Sequence, residues 1–135
     1  MKANELCVGS FVEFDGSIYM IEEISRNGWV HIMHPNVKVR ASLTNDYILN
    51  ALEPVKITME LLLNAGFVSY NKYQCHLKID DKTVECTEYD GEFNVQVIIN
   101  KPEFGNDVVY NETLNYMHKL QNLLQLFDID VEFKI

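Results

Sequence analysis

Apolar and polar positions along the first third of the chain alternate in short runs that turn residues interrupt. Residues 8–15, 17–24 and 28–34 each carry this period of two, and Asp15-Gly16 and Asn27-Gly28 sit between them. Alternation flanking such dipeptides predicts tight hairpins, because Asp, Asn and Gly accept the positive φ angles that a two-residue turn demands. A fourth run, 37–40, alternates apolar with basic after Pro35; residues 41–47 then read as a loop or single helical turn, and 48–55 as a closing strand. Four strands this short cannot bury the face of a flat sheet, so the pattern predicts a small curled barrel of the SH3-like type. Phe11 or Val12, Ile18, Met20, Ile21, Ile24, Val30 and Ile32 are its candidate core.

The texture changes at Leu52-Glu53-Pro54. Thr58 can cap a short helix, Glu60 lies in the first turn where the helix dipole favours an anion, and Gly66 is placed to end it. Ile57 and Leu62 are spaced as a hydrophobic staple. The following strands can be set in register from the sequence. With Asp80-Asp81 and Asp90-Gly91 as two-residue turns, Leu77 opposes Val84, Cys75 opposes Cys86, Cys86 opposes Val95, and Val84 opposes Val97. Every pair is apolar against apolar, as one buried face requires. The buried side would then hold Tyr73, Cys75, Leu77, Ile79, Val84, Cys86, Phe93, Val95, Val97 and Ile99, with His76 and Lys78 outward.

After a loop around Pro102 and Gly105, residues 111–127 have the spacing of an amphipathic helix, and Leu114, Met117, Leu120, Leu124 and Phe127 would lie across the meander. Ile129, Val131, Phe133 and Ile135 alternate with charged residues and predict a final edge strand. The expected fold is α+β: a barrel over residues 1–56, then an α-β-β-β-α-β unit over 57–135 whose antiparallel meander packs against a C-terminal helix.

Charge changes the functional picture. The net charge is -9, with four Lys or Arg against seven Asp or Glu in residues 1–54, and seven against thirteen in residues 55–135. No basic face is available to neutralise phosphates, which disfavours nucleic acid and anionic membranes as partners. An acidic surface keeps a protein soluble and also suits a basic partner. Residues 1–5 lack the apolar core of a signal peptide and no apolar run could span a bilayer, so a cytoplasmic protein with its three cysteines reduced is expected.

Candidate chemistry is sparse. His31 and His34, three apart on a strand, point to opposite faces and make a poor metal site. The acids Asp80, Asp81, Glu85, Glu88, Asp90 and Glu92 lack the spaced ligands of a calcium loop and suit hairpin tips. No phosphate loop, nucleophile elbow or metalloprotease helix is present, so neither an enzyme nor a bound cofactor or metal is expected. Trp29 and Tyr47 are the aromatics a small barrel could expose to a ligand. On the final helix, His118, Lys119, Gln121 and Asn122 form a polar side that reads as solvated; the alternative is that His118 or Gln121 turns toward the barrel.

Three stretches resemble a family of uncharacterised small proteins from gut anaerobic bacteria, their phages and mobile elements. They are Glu5-Leu6-Cys7-Val8-Gly9-Ser10-Phe11-Val12; Leu52-Glu53-Pro54-Val55-Lys56-Ile57-Thr58 running to Gly66-Phe67; and Met117-His118-Lys119-Leu120-Gln121-Asn122-Leu123. The resemblance implies a phage or mobile-element setting and brings no catalytic residues with it. The combined expectation is a non-enzymatic interaction module for a host or phage protein. The alternative is a small-ligand binding or sequestering protein with a pocket between the two halves lined by Trp29, Tyr47 and His118.

Overall fold

A computed structural model describes residues 7–25, 30–34, 40–43 and 51–134. The chain divides into two compact units. Among the described residues, those up to Lys56 and those at 116–125 form the first, and 57–115 and 126–134 form the second.

The first unit is built on strands β1 (Phe11–Phe14), β2 (Ser17–Ile24), β3 (Val30–Met33), β4 (Arg40–Leu43) and β5 (Glu53–Pro54). They make one antiparallel sheet in the order β4-β3-β2-β1-β5. The β1–β2 hairpin turns on Asp15 and Gly16, at φ 51° and 79°, the pair of positive angles that a type I′ turn needs. The Asn27-Gly28 turn lies outside the described residues. β4 begins at Arg40, the last residue of the expected 37–40 strand, and continues through three residues expected to begin a loop; residues 37–39 lie outside the described residues. Of the expected 48–55 closing strand, residues 48–50 lie outside the described residues, and among the rest Glu53–Pro54 is strand, paired with Glu13 and Val12. Among the described residues β4 and β5 do not pair, and no closure of the sheet into a barrel is found.

Val12, Ile21, Val30, Ile32 and Leu52 form its buried cluster, with Phe14 and Tyr19 packed against it. Ile24, expected in the core, is 39% exposed at the end of β2, beyond a register shift between Ile21 and Glu23.

The C-terminal helix belongs to this unit, not to the meander. It is shorter than its apolar spacing predicts: α2, following α1 (Met59–Asn64), runs Met117–Leu126, and Met117, His118, Leu120, Leu123 and Leu124 are buried. Two backbone contacts fix its start, a bridge between Lys56 and Tyr116 and the Met117 N–H donating to the Val55 carbonyl at 2.7 Å. From its next turn the Gln121 amide reaches the beginning of β1. Its Oε1 accepts from the Phe11 N–H at 2.9 Å, and its Nε2 donates to the Gly9 carbonyl at 2.8 Å. A primary amide presents a donor and an acceptor side by side, the pair a neighbouring strand would present.

The second unit begins with α1, capped as expected by Thr58, whose Oγ1 accepts from the Leu61 N–H at 3.2 Å. Gly66 leaves the helix at φ 105°. Five strands follow: β6 (Val68–Asn71), β7 (Gln74–Ile79), β8 (Lys82–Tyr89), β9 (Glu92–Lys101) and β10 (Gly105–Leu114), ordered as a simple meander. The register read from the sequence holds: Cys75 opposes Cys86 and Leu77 opposes Val84, while Cys86 opposes Val95 and Val84 opposes Val97. Cys75, Val84, Cys86, Phe93, Val95 and Val97 are buried. Tyr73 is not: it stands in the turn before β7, 54% exposed.

Elements of its own unit pack against the inner face of this sheet. α1 and Gly66 flank a hollow with Leu77, Ile79 and the segment 130–134. Phe127 meets the Tyr110 ring at 6.4 Å, its carbonyl accepts from Lys82 Nζ at 2.7 Å, and Phe133 stacks on Phe67. The segment expected as an edge strand is, over its described residues 129–134, a strap with no ladder; Ile135 lies outside the described residues. The strap keeps the alternation, Ile129 buried, Asp130 and Glu132 exposed, Val131 and Phe133 half-buried, because packing against one face imposes a period of two on any extended chain.

Gln121→Ala should destabilise the first unit by about 1–3 kcal/mol, since it strands a partly buried donor and acceptor together. Urea denaturation followed in that unit checks this, and a loss under about 0.5 kcal/mol would mean that water replaces the amide without cost.

Candidate interaction surface

The longest exposed element is β10. It is an edge strand of ten residues, bonded to β9 on one side and, among the described residues, to no strand on the other. Its free side offers a row of backbone donors and acceptors to an incoming strand. Val108 is 53% and Val109 40% exposed, and Phe104, in the turn that leads into β10, is 85% exposed. Gly105 enters the strand at φ 81°.

A bulge sets which side chains share a face. The register with β9 shifts between Val108 and Tyr110, so that Asp107 opposes Ile99, Tyr110 opposes Val97 and Glu112 opposes Val95. Ile99, Val97 and Val95 are alternate residues of β9 and point inward. Asp107, Tyr110 and Glu112 are thereby brought to one side of the edge, although the first and last are five apart in sequence and would fall on opposite faces of a regular strand. Asp107 pairs with Lys101 at 3.2 Å, with both side chains largely exposed. The Tyr110 hydroxyl donates to Glu112 Oε2 at 3.1 Å, and burial, followed by this carboxylate, pushes the Tyr110 phenol above its ordinary pKa.

The outer face of the sheet is amide and hydroxyl in character. Asn94 Nδ2 donates to Asn111 Oδ1 at 3.0 Å, and Asn100 Nδ2 donates to Thr83 Oγ1 at 3.3 Å. Tyr70 lies flat on His76 with ring centroids 4.1 Å apart. Beside them an open hollow of about 550 Å³ is bounded by Lys78, Glu85, Ile98 and Asn106.

Of the residues expected at a binding site, Trp29 and Tyr47 lie outside the described residues. His118 does not sit on a solvated face. It is 2% exposed, its ring stacked near Tyr116 at 6.1 Å, because the helix turns this side inward together with Met117 and Leu120. Gln121 takes the alternative role, turned to the first sheet. His31 lies opposite Ser42 and Glu23, and the His34 ring meets Tyr19 edge-on at 5.5 Å. Among the described residues no group of three or more His, Cys, Asp or Glu is arranged to hold a metal ion, and no helix is long and apolar enough to cross a membrane. Asp80 and Asp90 form turns at φ 54° and 52°.

Sequence reasoning missed β10. Its only apolar run is Val108-Val109-Tyr110, and the bulge within it destroys the alternation that identifies a strand. Comparison of the chain with family models, with curated proteins and with solved structures found no match.

Cys75 and Cys86 stand opposite each other, free and fully buried, whereas Cys7 is half-exposed. A hydrogen bond with Cys75, then burial, pushes the Cys86 thiol well up. The same hydrogen bond lowers Cys75 while burial acts against it. A thiol reagent applied to the native protein should therefore modify Cys7 alone, and Cys75 and Cys86 only after denaturation; rapid native labelling of either would show that the inner face opens readily.

Proposed function

We propose that this chain is a non-enzymatic protein-interaction module of phage or mobile-element origin, acting in the cytoplasm on a host or phage protein. The observation that carries the reading is the β10 edge: ten residues of strand with one unpaired side and two adjacent exposed valines. Long exposed edges invite pairing with a foreign chain unless lysine, proline, bulges or inward charges blunt them. β10 contains no lysine or proline, and its bulge, with Asp107 and Glu112 on one side, restricts pairing to a segment that matches them. Five short antiparallel strands and a register shift in β2 support a first unit of the small SH3-like barrel type. The sequence resemblance supports the phage or mobile-element origin.

The double variant Val108→Lys, Val109→Lys tests the reading, because lysines at an edge oppose strand addition while leaving exposed positions exposed. Its thermal stability should stay within about 1 kcal/mol of wild type. Affinity capture from host or phage-infected lysate should lose the partner that wild type retains. Equal capture by the two proteins would place the contact elsewhere and remove the basis of the reading.

The acidity also has a direct consequence. At near-physiological salt the protein should not retard duplex DNA in a gel-shift titration, since it clusters no basic groups against phosphate. Tight, salt-sensitive retardation would contradict this.

A further inference from the structure

Resting on the interaction reading, we infer that the β10 edge accepts an extended segment bearing basic side chains at positions i and i+4 and an apolar side chain at i+2. The bulge is what selects this spacing. It brings Asp107, Tyr110 and Glu112 to the same side of the edge, in step with Ile99, Val97 and Val95 of β9. A strand added to the free side must match those faces, so the residues it sets against Asp107 and Glu112 are four apart, as Ile99 and Val95 are. That separation is about 13 Å. The residue between them meets Tyr110, whose ring lies against Phe127. Leu126, the neighbour of Phe127, is 77% exposed.

Charge decides the occupant. Asp107 carries a 61% exposed side chain and Glu112 is exposed. Opposite charges facing each other across a strand pair attract, and like charges facing each other destabilise the pair. A second copy of this chain is a poor occupant. Antiparallel pairing of two β10 strands about the bulge would set Asp107 of one copy against Glu112 of the other, in a chain already at net charge -9. A basic segment gains at both positions; it must displace the Lys101 contact to Asp107, and such surface ion pairs are weak. The pattern basic, apolar, basic at i, i+2 and i+4 reads the same in either chain direction.

Three synthetic peptides of about nine residues, long enough to span β10, test this by fluorescence anisotropy with the full chain. The first has Lys at i and i+4 with Val at i+2 in a threonine background. The second has the same composition with Lys at i and i+3, and the third has Glu in place of both Lys. The first should bind about tenfold more tightly than the others, and Glu112→Lys should weaken it by about tenfold while strengthening the third. Equal binding of all three would overturn the charge inference and leave strand addition standing. So would failure of every peptide while partner capture remains sensitive to the Val108→Lys, Val109→Lys substitution. Failure of every peptide with capture insensitive to that substitution would overturn both readings. A dimer in sedimentation that dissociates in the double-lysine variant would replace the basic segment with a second copy.

Discussion

The first unit depends on one side-chain amide. Gln121 gives a donor to Gly9 and an acceptor to Phe11, and in doing so stands where a backbone would stand at the entry to β1. The geometry requires both atoms. A glutamate at this position could accept from Phe11 but could not donate to Gly9, and an apolar residue would leave both backbone groups without their partner. The helix that carries this amide is anchored at its start by the Met117 N–H on Val55, so sheet and helix are registered by hydrogen bonds as well as by the burial of Leu120 and Leu124. Gly9, at φ 91°, permits the turn that points its carbonyl at the amide.

The second unit solves a different problem. A meander with one apolar face needs a cover, to which α1 and residues 126–134 contribute. The strap shows that alternation along a chain reports which face is covered, not whether a ladder exists. Phe127 and Phe133 contribute rings at 6.4 Å and 6.5 Å from Tyr110 and Phe67, and Lys82 holds the strap's backbone at Phe127.

Much of this was legible in the sequence where turns and alternation agreed. Asp15-Gly16, Asp80-Asp81 and Asp90-Gly91 fixed the hairpins, and matching apolar pairs then fixed a register that the structure reproduces at Cys75 and Cys86. Legibility failed where a period was broken or mimicked. The bulge beside Val109 hides β10, while Leu114, Met117 and Leu120, spaced by three, continue a helical pattern backward into it. Pairing with β9 outweighs that local spacing and makes residues 111–114 strand. His118 was misplaced because its polarity argued for water, whereas its position on the helix, between Met117 and Leu120, turns it inward. The β10 edge left almost no trace, since exposure on both faces removes the patterning on which sequence reading relies.

The discontinuous make-up of the first unit has a kinetic consequence. The meander is assembled from neighbouring hairpins, contacts of low sequence separation that form quickly. The first unit cannot be completed until a helix over a hundred residues downstream of Gly9 has been synthesised and the intervening chain has closed into a loop. During translation, then, the meander's hairpins can pair before Gln121 is made, the earlier strands wait for the helix that carries it, and the cover from residues 126–134 comes last.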